Sequence, residues 1–237
     1  MKIQGATVFI TGANRGIGLA FARAALARGA RKVYAAARDP ASITLSGVVP
    51  IKLDVTSPED IAAAARQCAD VTVLINNAGV AKPGGFLADG SVESARSQIE
   101  TNFFGPLQLT KAFASTLAKN GGGAVVNVLS IASWVSSPQL AIYSASKAAA
   151  WALTNGLRHE LRGQNTQVLG MHVGFVDTDL TKGLDFPKIA PDVVAARTID
   201  ALEAGAEEVL VDETARQIKA GLIAEPSNYL GHPKHSA

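Results

Sequence analysis

The chain has a single cysteine, Cys68, among 237 residues, so no disulfide can form within it. This cysteine lies in a helical pattern, which predicts buried packing and is consistent with a reducing compartment. Histidine is also scarce. The four residues His159, His172, His232 and His235 lack ligand-like spacing with cysteine or carboxylates, and the last two fall in a polar tail. We therefore expect neither a disulfide framework nor a metal site.

The chain also lacks an excess of one charge and a long apolar run. The formal net charge is +2 with both signs interspersed, so nothing indicates nucleic acid or an anionic membrane as a partner. No apolar run approaches the roughly 18 residues of a membrane span, and residues 1–5 do not resemble a signal peptide. We expect a cytoplasmic protein that acts on a small molecule.

Hydrophobic residues make up 48% of the chain and charged residues 18%, which suits one compact α/β domain over residues 1–237. Strand-like and helical patterns alternate without a linker or repeat. Strands are predicted at 7–10, 32–37, 48–55, 71–75, 124–130, 167–173 and 208–211. This order predicts a Rossmann-type, doubly wound parallel sheet of about seven strands with helices on both faces. The segment at about 179–190 is long enough only for a short substrate lid.

A glycine-rich loop follows the first predicted strand and precedes an alanine-rich helix. It reads Thr11-Gly12-Ala13-Asn14-Arg15-Gly16-Ile17-Gly18. Glycines let the backbone approach a pyrophosphate closely, and a helix N-terminus supplies N–H donors and partial positive charge. The order of strand, loop and helix predicts a dinucleotide site, although an ordinary strand-to-helix turn is the alternative for this motif alone.

The second predicted strand ends at Ala37 and is followed by Arg38, about twenty residues beyond the glycine loop. An acidic residue near this point binds the ribose 2′-hydroxyl of NAD, whereas an arginine accommodates the 2′-phosphate of NADP. Arg15 offers a second planar guanidinium. Asp39 would oppose a phosphate, but we assign it to capping the turn at Pro40. The pattern favours NADP, the alternative being that both arginines are solvated surface charges.

Tyr143 and Lys147 stand four residues apart in a helical pattern, so their side chains share a face. A positive charge near a phenol favours the phenolate and lowers its pKa from about 10. Ser130 ends an apolar run, so we expect its hydroxyl at the carboxyl edge of the sheet, where ligands bind. For Tyr143 and Lys147 alone, two exposed side chains on a helix are the alternative.

Each of three further polar or aromatic features has two possible interpretations. The Asn-Asn-Ala-Gly segment at 76–79 either ties loops together or contacts a ligand. Asn102, within a helical pattern at 92–118, either caps a kink or holds a water. Trp134, in a serine-rich loop at 131–140, either packs or forms a substrate wall.

Together these motifs resemble the short-chain dehydrogenase/reductase family over about residues 5–212. The family order is matched by TGANRGIG at 11–18, the segment at 76–79, Asn102, Ser130 and Tyr-Ser-Ala-Ser-Lys at 143–147. The resemblance implies that Ser130 orients the substrate carbonyl and that Tyr143 exchanges the proton. It also implies that Lys147 binds the nicotinamide ribose and lowers the tyrosine pKa, and that Asn102 holds a proton-relay water.

The resemblance further implies a cofactor site. Beside Tyr143 and Lys147, its residues are Gly12, Asn14, Arg15, Gly16, Ile17, Gly18, Arg38, Asp54, Val55, Asn76, Ala78, Gly79, Gly174, Val176 and Thr178. Asp54 and Val55 are expected at the adenine, and Thr178 at the nicotinamide carboxamide. We expect an open substrate pocket that tolerates bulky or aromatic ketones, lined by Trp134, Phe175, Leu180 and Phe186.

The expected activity is NADPH-dependent hydride transfer to a ketone or aldehyde, reversible with a secondary alcohol, with Tyr143 as general acid/base. A catalytically silent NADP-binding regulator or scaffold is the alternative from another class, and the intact Ser, Tyr, Lys and Asn set argues against it. An epimerase or dehydratase of the same fold is a further alternative. Relatives with those activities have a different glycine spacing and a larger C-terminal domain.

The chain departs from the family pattern at two places. Val173 replaces the proline of the usual Pro-Gly, which removes a fixed φ angle near the nicotinamide. Glu213-Thr214 replaces a common Gly-Gly in a region that family tetramers use. We therefore expect a homodimer in place of a tetramer. The small residues Ala148, Ala152 and Gly156 form a stripe that lets another helix approach closely, either as an internal contact or as a dimer seam.

Overall fold

The computed structural model describes residues 1–230 and contains one seven-stranded sheet. All strand pairs are parallel, in the order β3-β2-β1-β4-β5-β6-β7. The strands are β1 (Thr7–Thr11), β2 (Lys32–Ala37), β3 (Val49–Lys52), β4 (Val73–Asn76), β5 (Ala124–Val128), β6 (Gln167–His172) and β7 (Glu208–Leu210). The predicted Rossmann-type architecture is confirmed. His232 and His235 lie outside the described residues.

Helices cover both faces of the sheet, as expected for parallel strands that are apolar on both sides. Phe21 and Val194 belong to one core cluster, whereas Ile61, Phe113 and Leu157 belong to the other. The helices are α1 (Gly16–Ala27), α2 (Pro58–Gln67), α3 (Ser91–Ile99), α4 (Gly105–Lys119), α5 (Ala141–Arg162), α6 (Pro191–Glu203) and α7 (Glu213–Ala220). Helices α1 and α6 pack on the first face, and α2, α4 and α5 on the second.

The sheet order places a crevice at the carboxyl ends of β1 and β4. From β1 the chain proceeds outward through β2 to β3, and from β4 it proceeds the other way through β5 to β7. Loops after the two central strands therefore diverge, which is the position where α/β folds bind ligands. Among residues 1–230, none of the helices combines the length and apolarity needed to cross a membrane.

The ends of several strands differ from the predicted ones, at places where a side chain forms hydrogen bonds to the backbone. The run at 48–55 forms a strand only over Val49–Lys52, because Asp54 then accepts bonds from the N–H and hydroxyl of Thr56 in a turn. β5 ends at Val128, and Ser130 opens a short 3-10 turn. Two local predictions are confirmed: Asp39 caps its turn through the N–H of Ala41, and Cys68 is buried packing.

The helix predicted at 92–118 is two helices. Between α3 and α4 lies a π-helical turn, Glu100–Phe104, with Asn102 buried at its centre. Single π-helical turns within α-helices are frequently found at functional sites. The interruption therefore agrees with the interpretation of Asn102 as a residue at a kink.

Candidate active site

The glycine loop is fitted closely to the loop that follows β4. Gly12 and Gly16 have φ angles of +65° and +55°, a region in which side chains are strained. A Cβ on Gly18 would collide with the carbonyl of Gly12 and with the Asn77 side chain. These glycines are therefore required by the backbone itself, and they leave an open cradle at the start of α1.

Asn77 and Thr11 join the two loops. The Asn77 Nδ2 donates to the carbonyls of Thr11 and Gly12 at 2.8 and 3.2 Å. The Thr11 hydroxyl oxygen accepts from the N–H groups of Asn77 and Ala78 at 2.9 and 2.8 Å. The structural interpretation of this asparagine, as a tie between neighbouring loops, is confirmed.

Asn76 is buried within the sheet. Its Nδ2 donates to Asn127 Oδ1 at 2.8 Å and to Thr110 Oγ1 at 3.2 Å, which joins β4 to β5 and α4. Both amide protons are therefore used inside the protein. The Asn76 amide therefore has no proton left to donate to a cofactor, while its buried Oδ1 has no hydrogen-bond partner within residues 1–230.

Asn102 binds the backbone of Val80 and a side chain of α5. Its Oδ1 accepts from the N–H of Val80 at 2.9 Å, and its Nδ2 donates to the Val80 carbonyl at 2.8 Å and to the Ser146 hydroxyl at 2.9 Å. Ser146 in turn donates to the Tyr143 carbonyl at 2.7 Å. The side chain of Asn102 thus has only a remaining Oδ1 lone pair with which to hold a water.

Ser146 is a site residue that sequence reasoning missed. It is fully buried and links Asn102 to the turn of α5 that carries Tyr143. The sequence did contain a signal for this role. Ser146 is a polar residue directly before Lys147, and a helix that directs Tyr143 and Lys147 into the site also directs residue 146 towards the protein interior.

Ser130, Tyr143 and Lys147 all line one cavity of about 450 Å³, beside the loop that contains Gly79. The Lys147 Nζ donates to the Val128 carbonyl at 2.9 Å and lies 5.8 Å from the centre of the Tyr143 ring. The Ser130 Oγ accepts from the Ala132 N–H at 3.1 Å, which leaves its own proton for another acceptor. The predicted triad is therefore brought together at the carboxyl edge of the sheet.

The pKa of Tyr143 is not lowered in the protein alone. Burial raises it to about 12, and a hydrogen bond with Ser130 opposes that rise only in part. Burial also lowers the pKa of Lys147 to about 8. The expectation of a lowered tyrosine pKa is corrected here, because desolvation of the phenol outweighs any effect of the Lys147 charge, and the ammonium is directed at the Val128 carbonyl.

Comparison with known proteins identifies the family to which this chain belongs. The profile of the short chain dehydrogenase family matches residues 6–187. The chain belongs to this family. A crystal structure of a short chain dehydrogenase from Burkholderia cenocepacia in complex with NADP is 40% identical, with a TM-score of 0.92, and the match covers 96% of this chain and 97% of that one.

Curated proteins of the short-chain dehydrogenase family are also similar. Ketoacyl reductase HetN of Nostoc sp. is 31% identical over 89% of this chain and 80% of its own length. Short chain dehydrogenase tazN of Aspergillus terreus is 32% identical over 77% of this chain, which spans only 44% of the tazN length.

The predicted cofactor residues of this short-chain dehydrogenase divide between the cavity and the glycine-loop side. The cavity lining includes Ile17, Gly79, Gly174, Val176 and Thr178. Thr178 also contacts the cradle, since a Cβ on Gly16 would lie 3.3 Å from its methyl group. A continuous surface therefore runs from the cradle to the triad.

Of the residues predicted at the adenosine end, the two arginines are exposed, Asn14 and Asp54 are half-buried, and Val55 is buried. Arg38 is exposed, and Arg15 forms an ion pair with Asp179 at 2.6 Å in which both side chains are about two-thirds exposed. Asn14 donates to the Ser42 hydroxyl at 3.1 Å, which ties the glycine loop to the turn after Arg38. Asp179 and Ser42 were not anticipated from the sequence.

Of the four residues predicted at the substrate, Phe175 and Leu180 line the cavity of this short-chain dehydrogenase. Phe186 lies behind Phe175, with ring centres 4.5 Å apart and planes within 4°. Trp134 does not line the cavity. It stacks on His172 at 3.8 Å, so packing, the other interpretation of this tryptophan, is the one observed.

Apolar side chains that sequence reasoning missed complete the wall: Val80, Ala81, Pro83, Ile131, Val135, Leu140 and Leu184. They follow Gly79, lie beside Ser130 or Tyr143 in the chain, or belong to the segment after Thr178. Within residues 1–230, no group of three His, Cys, Asp or Glu side chains is placed to hold a metal ion.

Proposed function

We propose that this protein is an NADPH-dependent oxidoreductase that reduces a ketone or aldehyde and, in reverse, oxidises a secondary alcohol. The observation that carries the proposal is the convergence of Ser130, Tyr143 and Lys147 on one cavity that continues into the glycine cradle. A protein that only binds a nucleotide has no need of a phenol, a hydroxyl and an ammonium at the far end of that cavity.

The residues present fit a dinucleotide. Positive φ angles at Gly12 and Gly16 and the open start of α1 suit a pyrophosphate. Arg15 and Arg38 are available for a 2′-phosphate, and the NADP complex of the Burkholderia relative supports that choice over NAD. Asp54 and Val55 would meet the adenine, Lys147 the nicotinamide ribose and Thr178 the carboxamide.

The protein's own groups handle the carbonyl oxygen. When bound, NADPH supplies the hydride. Ser130 donates its hydroxyl proton to the carbonyl oxygen in a hydrogen bond, and Tyr143 transfers its proton to that oxygen as negative charge develops. Both interactions strengthen towards the transition state, so they accelerate the reaction instead of merely holding the substrate.

The pKa values suit the reducing direction. Tyr143, with a pKa raised to about 12, keeps its proton at neutral pH, so the proton that the reducing direction requires is present. Lys147, with a pKa near 8, is still mostly charged at pH 7 and stabilises the phenolate that results.

The test is Tyr143→Phe, which removes one oxygen from a side chain in the cavity wall. We expect NADPH affinity, measured by fluorescence titration, to stay within about threefold, while turnover of a carbonyl compound falls at least about a hundredfold. A variant that retained more than about a tenth of wild-type turnover would exclude Tyr143 as the proton donor.

A panel of carbonyl compounds tests the regulator alternative and the substrate class together. Because the cavity wall is largely apolar, we expect bulky or aromatic ketones to be reduced with net oxidation of NADPH. No NADPH consumption with any compound, despite tight NADPH binding, would favour the silent regulator. Reduction of small aliphatic carbonyls alone would contradict the open pocket.

A homodimer is part of the proposal. The predicted seam residues Ala152 and Gly156 are exposed on α5, and Gly156 has open space beside it. Sedimentation velocity should give a dimer mass, and Gly156→Trp should shift it towards the monomer.

A further inference from the structure

His172 is a buried histidine directly behind the catalytic serine. It ends β6, its side chain is fully buried, and its Nδ1 lies 3.1 Å from the carbonyl oxygen of Ser130. A carbonyl oxygen can only accept a hydrogen bond, so Nδ1 carries the proton in this contact. The imidazole is thus a donor to the peptide of the residue whose hydroxyl faces the cavity.

The surroundings of the imidazole favour that tautomer. Trp134 stacks on the ring, with planes 16° apart, and fixes its orientation. Within the described residues, Nε2 has no hydrogen-bond partner. The acid that faces it, Glu208, has its Oε1 3.8 Å away and is paired with Lys219. A neutral ring with its proton on Nδ1 satisfies the only close acceptor.

Charge on this ring is strongly disfavoured. Burial lowers the pKa of His172 to about 3, against the hydrogen bond to Ser130, and the positive charges of Lys219, Arg158 and Lys147 lower it further. The ring is therefore neutral throughout the pH range in which the enzyme would work. Its role cannot be that of a proton shuttle, because it neither titrates in that range nor lines the cavity.

Ser130 sits where the regular strand has ended. The neighbouring N–H groups still pair with the strand beside them, Leu129 N–H to Met171 at 2.8 Å and Ile131 N–H to Val173 at 3.1 Å. The Ser130 carbonyl accepts instead from His172 and from the N–H of Ser133 at 3.0 Å. Without the imidazole, the Ser130 carbonyl accepts only from the Ser133 N–H of the short turn, while the N–H side of the same peptide stays bonded to Val173.

We propose that His172 is a positioning residue that holds the Ser130 peptide, through its Nδ1–H, so that the serine hydroxyl faces Tyr143. This rests on the proposed function, in which that hydroxyl polarises the substrate carbonyl. The competing explanation is that His172 only fills space beneath Trp134. Positioning requires the Nδ1–H group itself, whereas space filling requires only a side chain of similar size.

Two substitutions separate these explanations. His172→Asn keeps an N–H donor close to the place of Nδ1, whereas His172→Leu keeps apolar bulk and removes the donor. Since a misplacement of about 1 Å can cost about a hundredfold in rate, we expect Leu to lower kcat by about 10- to 100-fold. NADPH affinity should stay within about threefold, and Asn should recover most of the loss. Equal losses in both variants would refute positioning through the donor.

A second background makes the test specific to Ser130. In Ser130→Ala, the His172→Leu change should lower kcat by less than about twofold further, because the hydroxyl it positions is gone. The same 10- to 100-fold loss in that background would assign His172 to general packing. Urea unfolding of each variant shows that the compared proteins are folded.

The tautomer can be measured without any substrate. Histidine labelled with ¹⁵N, with the His172 signal identified by its absence in His172→Asn, should show a proton on Nδ1 from pH 5 to 9. A proton on Nε2 would overturn the inference even if carbonyl reduction is observed. A failure to reduce any carbonyl compound, with the Nδ1 tautomer present, would instead count against the proposed function and leave the contact with Ser130 established.

Discussion

The ammonium of Lys147 lies in the protein interior, and its charge should cost stability at neutral pH. The residue is 6% exposed, and burial lowers its pKa from 10.5 to about 8. Between these two values the unfolded chain binds more protons than the folded one, so stability rises with pH. At about 1.4 kcal/mol per pKa unit, the full difference is about 3 kcal/mol.

The sign follows from the depressed pKa of the folded state. The contribution of Lys147 is most favourable above the unfolded pKa and is lost as the pH falls through about 8, so the cost is almost complete at pH 7. From pH 7 to pH 9.5, wild type should gain about 2 kcal/mol of unfolding free energy relative to Lys147→Met. The hydrogen bond to Val128 lost in the variant adds an offset of about 1 kcal/mol at both pH values.

Urea unfolding of the cofactor-free proteins at pH 7 and pH 9.5 measures this difference. Because other titrating groups are common to both proteins, they cancel when the variant is subtracted from wild type. Lys119→Met, which removes an exposed lysine from the end of α4, is the matched control and should show no pH-dependent difference. If the difference for Lys147→Met changes by less than about 0.5 kcal/mol between the two pH values, the ammonium is not desolvated.

Three further predictions concern the cofactor cradle. The double variant Arg15→Ala/Arg38→Ala should lose NADPH affinity at least about tenfold more than NADH affinity in fluorescence titrations, and equal losses would rule out phosphate recognition. Asp179→Asn frees Arg15 from its ion pair and should tighten NADPH binding by about twofold without affecting NADH, the effect being small because the pair is exposed. Gly18→Ala should lower the melting temperature and abolish cofactor binding, since its Cβ meets a loop carbonyl, whereas Gly163→Ala, with open space and a helical φ angle, should be neutral or stabilising.

The parts of the molecule that sequence predicted well are those set by local chemistry. The glycine loop, the strand and helix order and the shared face of Tyr143 and Lys147 follow from residues close together in the chain. Asp39 could be assigned to a cap for the same reason, since its partner is the N–H of Ala41.

The parts that sequence missed depend on partners far apart in the chain. Trp134 packs against His172, 38 residues later, so no local pattern separates packing from a substrate wall. The π-helical turn at Asn102 depends on bonds to Val80 and Ser146. The direction of the Tyr143 pKa needs the depth of burial, which a helical spacing does not contain.

The hydrogen bonds between Asn102 and Val80 fix the main chain at residue 80 without restricting which side chain it carries. The asparagine holds the main chain of Val80, while the Val80 side chain belongs to the apolar wall of the cavity. A larger or smaller side chain there changes the shape of the cavity, yet the amide bonds that join residue 80 to Asn102 and α5 stay in place. The space beside Tyr143 can therefore change at this position while the helix that carries Tyr143 keeps its support.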